Sequence, residues 1–246
     1  MKKFAFALLA MATAFAITPV AFADTIAWTN WTSGTAGNPG SATGTITTIP
    51  TITVSFSGET LGLGTAYVIS NNQSISPWSV PSNYIGGTVD NAPPVGNNSV
   101  AMEGGSGITE TITFSSPVVD PVLAIWSLGA AGPTTIPAEF VFTSADGAYT
   151  LEAGGADGYS GGSSITVNGE TVSGTEGSGV IQFDSTLSSI TFTTPESENW
   201  YALTVGDPTP TPEPSSLLLL GTGLLGLAFV VFRKAKPARP VLHMNM

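Results

Sequence analysis

The sequence predicts an all-β fold, a jelly-roll-like β-sandwich, over residues 24–206. Three observations predict it. No long helical periodicity appears between Asp24 and Gly206. Short β-branched runs recur instead, about ten residues apart, separated by clusters of Gly, Pro, Asn and Ser, which is the rhythm of a sandwich or jelly roll. Asn168-Gly169 stands between two alternating runs, Ile165–Val167 and Glu170–Val172. That pair marks a two-residue hairpin with positive φ at both turn positions.

The first element is a signal helix. Met1-Lys2-Lys3 is followed by an apolar stretch, Phe4 to Ile17, and then by Ala21-Phe22-Ala23. A positive start, a short apolar run and small residues at an A-x-A site form a secretory signal peptide, 1–23. Signal peptidase is expected to cut after Ala23 and leave Asp24 as the mature start. The alternative, an N-terminal membrane anchor, meets a stretch that is short for a span.

The strands come next. The runs expected to form them are 45–49, 51–57, 66–70, 108–115, 122–127, 138–143, 148–153, 164–167, 170–173, 179–184, 188–193 and 200–205. Between the third and fourth, Ser70–Gly107 is rich in Asn, Pro and Gly and reads as a long surface loop. A Pro-rich linker, 207–214, follows the last strand. The apolar run Leu217 to Phe232, with two serines before it, reads as a transmembrane helix over 215–232. A basic tail, 233–246, closes the chain and would stay cytoplasmic.

Charge narrows the function. The formal net charge is −11, yet every Lys, Arg and His lies in the two ends. From Asp24 to Pro214 there is none, and the chain has no Cys. Nucleic-acid binding and anionic-lipid binding by the middle lack the cations they need. Phosphate chemistry lacks its Lys and Arg clamps, and histidine-based triads are absent. Disulfides cannot staple this exported domain, so burial must hold it.

Carboxylates, hydroxyls, amides and aromatics remain. Glu196 and Glu198 flank Ser197 just before Trp200-Tyr201. Paired carboxylates beside aromatics suit glycoside hydrolysis, but in an extended segment such a pair more often faces solvent. Asp146-Gly147 and Asp157-Gly158 are ordinary turns. Asp157 with Glu103, Asp90 or Glu176 would offer oxygens to Ca²⁺, although no calcium-loop spacing is present. Trp126 reads as core, whereas Trp28, Trp31 and Trp78 are candidate sugar-stacking platforms. Thr43, Thr45 and Thr47 alternate, as do Thr51 and Thr53. A Thr-x-Thr ladder matches an ice lattice only when stacked many times, and the chain shows no such repeat. Thr is also simply a good strand residue.

The tail carries the most specific pattern. Pro212-Glu213-Pro214 precedes the Leu/Gly-rich run LLLLGTGLLGLAFVVF, and Arg233, Lys234, Lys236 and Arg239 follow it. These three parts resemble a PEP-CTERM sorting signal. The family occurs in Gram-negative bacteria that make exopolysaccharide. The resemblance implies recognition by an exosortase, a membrane processing enzyme, with a cut near the motif. This chain departs from the pattern by continuing through Pro240 to Met246. An uncut stop-transfer anchor is the competing reading. ITETITFSSPV, VLAIWSLG, GGSSITVNGETVSG and ENWYALTVG resemble passenger domains found ahead of such tails, which implies a jelly-roll-like sandwich and no known reaction.

The reading that follows is an exported protein, periplasmic, cell-surface or extracellular, with a non-catalytic structural or interaction role and an association with exopolysaccharide. Its precursor would be held in the inner membrane by the C-terminal helix. The alternative is a carbohydrate-binding module, Ca²⁺-assisted, and a further one is a carboxylate-based hydrolase. No other cofactor is expected.

Overall fold

The computed structural model describes residues 24–64, 67–69, 73–130, 137–159, 161–209 and 216–234. The expected signal helix lies outside the described residues. The chain divides into two compact units, Met1–Pro210 and Thr211–Met246.

The first unit is built from strands. The early ones are β1 (Thr25–Trp28), β2 (Asn30–Thr35), β3 (Gly37–Ile46), β4 (Ile52–Thr60), β5 (Gly62–Gly64), β6 (Tyr67–Ile69), β7 (Gln73–Ile75) and β8 (Ser99–Gly104). The later ones are β9 (Thr109–Val119), β10 (Val122–Leu128), β11 (Ala138–Phe142), β12 (Tyr149–Ala156), β13 (Thr166–Asn168), β14 (Thr171–Gly174), β15 (Gly177–Phe183), β16 (Thr186–Thr193) and β17 (Ser197–Thr209). The expected hairpin forms, joining β13 to β14 in antiparallel register, but its turn sits one residue later: Asn168 pairs with Thr171, so Gly169-Glu170 makes the turn and only Gly169, at φ 61°, takes the positive φ expected of both turn residues.

Two large antiparallel sheets result, and β6 and β7 pair apart from them as a two-stranded ribbon. One runs β13-β14-β11-β16-β9-β4-β3-β2, and the other runs β12-β15-β10-β17-β8-β5 with β1 added against β17. Within them, β8-β17-β10-β15 faces β9-β16-β11-β14. From β8 to β11 and from β14 to β17, successive strands alternate between sheets, which is the strand order of a jelly roll. β2, β3 and β4 widen one sheet, and β5 and β12 extend the edges of the other.

The main core lies between the sheets. In β9, Ile112 and Phe114 point inward while Thr111, Thr113 and Ser115 do not, and β4 alternates likewise with Ile52, Val54 and Phe56 inside. Tilted and edge-to-face packing of Phe140, Phe142, Phe183 and Phe192 fills the centre. Aromatic pairs of this kind contribute about 0.5–1.5 kcal/mol beyond their buried area.

β10 is buried along its whole length. Leu123 and Ile125 face the main core, while Val122, Ala124 and Trp126 face a second cluster with Ile75, Trp78, Tyr84 and Val89. This corrects the reading of 70–107 as a surface loop. Its described part, from residue 73 on, covers the outer side of the sheet and also contains β8. Its apolar residues fall at irregular intervals, so no period-2 pattern announces them. β2 and the start of β3 also escaped the sequence reading. Gly37-Asn38-Pro39-Gly40 has turn composition, yet the β3–β4 ladder passes through it with a register shift.

The outer face of the eight-stranded sheet is built from hydroxyls. One cross-strand row is Ser33, Thr43, Ser55, Thr113 and Ser189, each paired with the next. A second is Thr35, Ser41, Ser57, Thr111 and Thr191.

The described part of the second unit is one helix, α1 (Ser216–Lys234), of 19 residues. It forms over the expected apolar run. Among the described residues, however, no helix is long and apolar enough to cross a membrane. The expected transmembrane span is therefore not met among the described residues.

Candidate functional site

Carboxyl groups collect at one end of the sandwich, where β4, β8, β9 and the start of β17 meet. Glu110 shares the inward parity of Ile112 and Phe114, so the strand itself carries a carboxyl into the core. It is fully buried. One oxygen accepts the backbone N–H of Glu59 at 2.7 Å, and the other has no hydrogen-bond partner. Burial pushes the Glu110 carboxyl up to about 7, with the neighbouring Glu59 charge adding to the rise and the Glu59 N–H opposing it. Gly58 makes room, since a Cβ there would stand 1.6 Å from the Glu110 carboxylate.

Glu59 is held differently. Its carboxylate accepts the backbone N–H of Gly104 at 3.0 Å and of Glu103 at 3.2 Å. Glu59 and Glu103 line a cavity of about 390 Å³ with Asn38, Ser106 and Ser197. Behind it lie the buried hydroxyls of Tyr201 and Thr194, neither in a well-formed hydrogen bond. Burial, with Glu59, Glu198 and Glu110 nearby, raises the Tyr201 phenol well above its ordinary range.

A second group gathers at an irregularity between β10 and β15, where the register shifts between Ile125 and Leu128. Ser127 and Glu176 are non-glycine residues with φ of 58° and 53°. Such left-handed conformations persist only where surrounding structure enforces them. Here the Ser127 hydroxyl donates to Glu176 at 2.5 Å, the Ser127 N–H donates to Ser178 Oγ at 3.2 Å, and the Glu176 N–H donates to the Gly129 carbonyl at 3.0 Å. Glu198 faces this group. Burial pushes it up to about 8, opposed by a backbone hydrogen bond from Gly129 and reinforced by the Glu176 charge. Trp200 stacks on Trp126 beside it, ring centroids 4.9 Å apart.

Glu196 and Glu198 are therefore not a matched pair. Glu196 is raised by burial and by Glu139 of β11, whereas Glu198 answers to Glu176 and Gly129. The shift in the β17–β8 register between Ser197 and Tyr201 separates their surroundings. In the protonated form that burial favours, Glu110 and Glu198 supply hydrogen-bond donors as well as acceptors. The parity of Glu110 with Ile112 and Phe114 was a sequence signal for its burial. Nothing in the sequence announced the Ser127–Glu176 contact.

The tryptophan expectation is corrected. Trp31 and Trp78 are fully buried and Trp28 is 8 % exposed. Trp31 donates its indole N–H to Thr204 Oγ1 inside the sandwich, Trp28 donates to the Asn91 carbonyl, and Trp78 packs edge-on against Tyr84. Rings buried in this way offer no face to a sugar.

The calcium candidates also part company. Asp90 accepts from Thr25 Oγ1, Asp157 from the Tyr159 N–H, and Glu176 from Ser127. Among the described residues, no group of three or more His, Cys, Asp or Glu side chains is placed to hold a metal.

At the ends, Asp24 is fixed by its N–H to the Thr88 carbonyl at 2.7 Å. Arg233 and Lys234 close α1. Ala21, Ala23, Pro212, Glu213, Pro214, Lys236 and Arg239 lie outside the described residues.

Residues 210–234 match the model of the PEP-CTERM protein-sorting motif. No curated protein and no solved structure matches the chain. The match covers the tail, so it speaks of sorting and leaves the β-domain's ligand open. The motif supports an exported protein with a C-terminal sorting signal.

Proposed function

We propose that this chain, which carries a PEP-CTERM motif, is exported, cut by signal peptidase after Ala23, and sorted by an exosortase-like enzyme acting at Pro212-Glu213-Pro214. The observation that carries the reading is the sorting motif at 210–234, directly after a β-domain that ends at Thr209. In sequence, only Pro210 and Thr211 stand between the last strand and Pro212-Glu213-Pro214.

The β-domain is proposed to act by structure and contact at the cell surface or within exopolysaccharide, without catalysis. The absence of Lys, Arg, His and Cys from Asp24 to Pro214 supports this, because nucleophile activation usually rests on such groups. Among the described residues, calcium and the sugar-stacking tryptophans find no support in the geometry.

The test is mass spectrometry of the inner-membrane, outer-surface and medium fractions. The expected product begins at Asp24 and ends near Pro214 outside the inner membrane. Replacing Pro212, Glu213 and Pro214 with Ala should leave the uncut precursor behind. Full-length chain confined to the inner membrane in both forms overturns sorting.

A further inference from the structure

We propose that the outer face of the eight-stranded sheet is a docking surface for an ordered, uncharged polysaccharide, held by the two rows of Ser and Thr hydroxyls. The rows were invisible in the sequence. They come from five strands that span residues 30–193, and no stretch of chain repeats. The Thr-x-Thr alternation of β3 is one rung of a lattice completed by strands distant in sequence.

The geometry is regular. Directly paired residues share a face, neighbouring strands lie about 4.8 Å apart, and alternate residues along a strand lie about 6.7 Å apart. The ten hydroxyl side chains form a grid of two rows by five columns. Thr45 opposite Thr53 and Thr109 opposite Thr193 continue it in both directions. The row positions on β2, β3 and β4 are exposed, and those on β9 and β16 are exposed or half-buried.

The composition is selective. The chain has 17 acidic residues, and none stands in either row. Glu110, on one of the same strands, turns inward. Strand preference accounts for Thr but not for Ser, which fills half of the ten positions.

Chemistry identifies the partner. A hydroxyl both donates and accepts, so the grid matches a surface of other hydroxyls. A single exposed hydrogen bond contributes little after competition with water. Many together matter when the partner repeats, because each contact after the first is intramolecular. The face has neither aromatic platform nor charge in its rows, which disfavours a lone sugar and a charged polymer alike. The remaining acidic surface repels polyanions. An extended neutral polysaccharide satisfies all of these constraints. The proposal deepens the exopolysaccharide part of the function proposed above and rests on export placing the domain among such polymers.

The experiment is co-sedimentation of the full chain, kept soluble in a sugar-free non-ionic detergent, with microcrystalline cellulose, chitin, curdlan and starch granules, and with alginate beads as the anionic control. At least one neutral solid should retain the chain, and retention should survive high salt because no charge pairing is involved. The variant Thr43→Val, Ser55→Ala, Thr113→Val keeps the strands and removes one row's central hydroxyls. With an unchanged melting curve, its retention should fall roughly fivefold or more. A milder pair, Thr43→Ser with Thr113→Ser, should bind like the parent and serves if the first variant misfolds.

Retention by none of the neutral solids, retention only on alginate, loss in salt, or equal retention of the Val/Ala variant each overturns the proposal. Growing ice that is shaped by the parent and not by the variant, without polysaccharide retention, assigns the grid to ordered water and also overturns it. Glu213→Ala should leave retention unchanged, so failure of sorting and failure of docking are read separately.

Discussion

At the residue scale, single carboxylates do structural work that their sequence context disguised. Asp146 reads as half of a turn dipeptide, and it does sit in a turn. It is also 3 % exposed, and it accepts the Thr143 hydroxyl at 2.8 Å, the Thr143 N–H at 3.2 Å and the Thr191 N–H at 3.2 Å. One side chain thereby caps the turn after β11 and fastens it to β16. Asp146→Ala strands those donors and should cost about 1–3 kcal/mol, read as a lower urea midpoint with an unchanged slope. Glu110 was legible in principle, since the alternation of β9 assigns its side chain to the core. Glu59 was not, because its burial depends on the backbone of β8 meeting β4, two segments more than forty residues apart.

At the element scale, β-branched runs with clean alternation were readable, and β4, β9, β11 and β16 all fall close to their expected positions. Elements held by distant partners were not readable. β1 is the clearest case. It has four residues and pairs with Gly206–Thr209 at the far end of the β-domain. Gly206 permits the approach, since a Cβ there would meet Ile26 at 2.3 Å. The Asn91 side-chain amide then takes the Ile26 N–H at 2.6 Å and donates to the Ile26 carbonyl at 3.0 Å, imitating a neighbouring strand. Asn91→Ala should lower stability by about 1–2 kcal/mol and speed amide exchange selectively in β1 and the end of β17. Uniform acceleration across the sandwich would contradict a local clamp.

At the scale of the whole molecule, the cation-free interior gives stability an unusual dependence on pH. Glu110 and Glu198 titrate near 7 and 8 in the folded chain, against an ordinary value of 4.5. Between those values the folded state holds more protons than the unfolded one, so stability falls as pH rises. The contribution is complete below about 4.5 and is lost as pH passes through 7 to 8. Glu59, Tyr201, Glu176 and Gly129 surround these groups, and no Lys, Arg or His is available in the domain to take up the charge. The melting temperature should therefore drop between pH 5 and pH 9, and Glu110→Gln should flatten that drop. A curve that rises over this range would contradict the buried-carboxyl account. The long strand β17 carries a further consequence, a mechanical one. Thr25 and Thr209 are paired, so tension between the domain's first and last residues peels β1 away one hydrogen bond at a time. Tension between the C-terminal end and a load on the sheet enters instead along the length of β17, which is flanked by β10 and β8, and its hydrogen bonds must yield in shear together. The same thirteen-residue strand is a zipper to one direction of pull and a splice to the other.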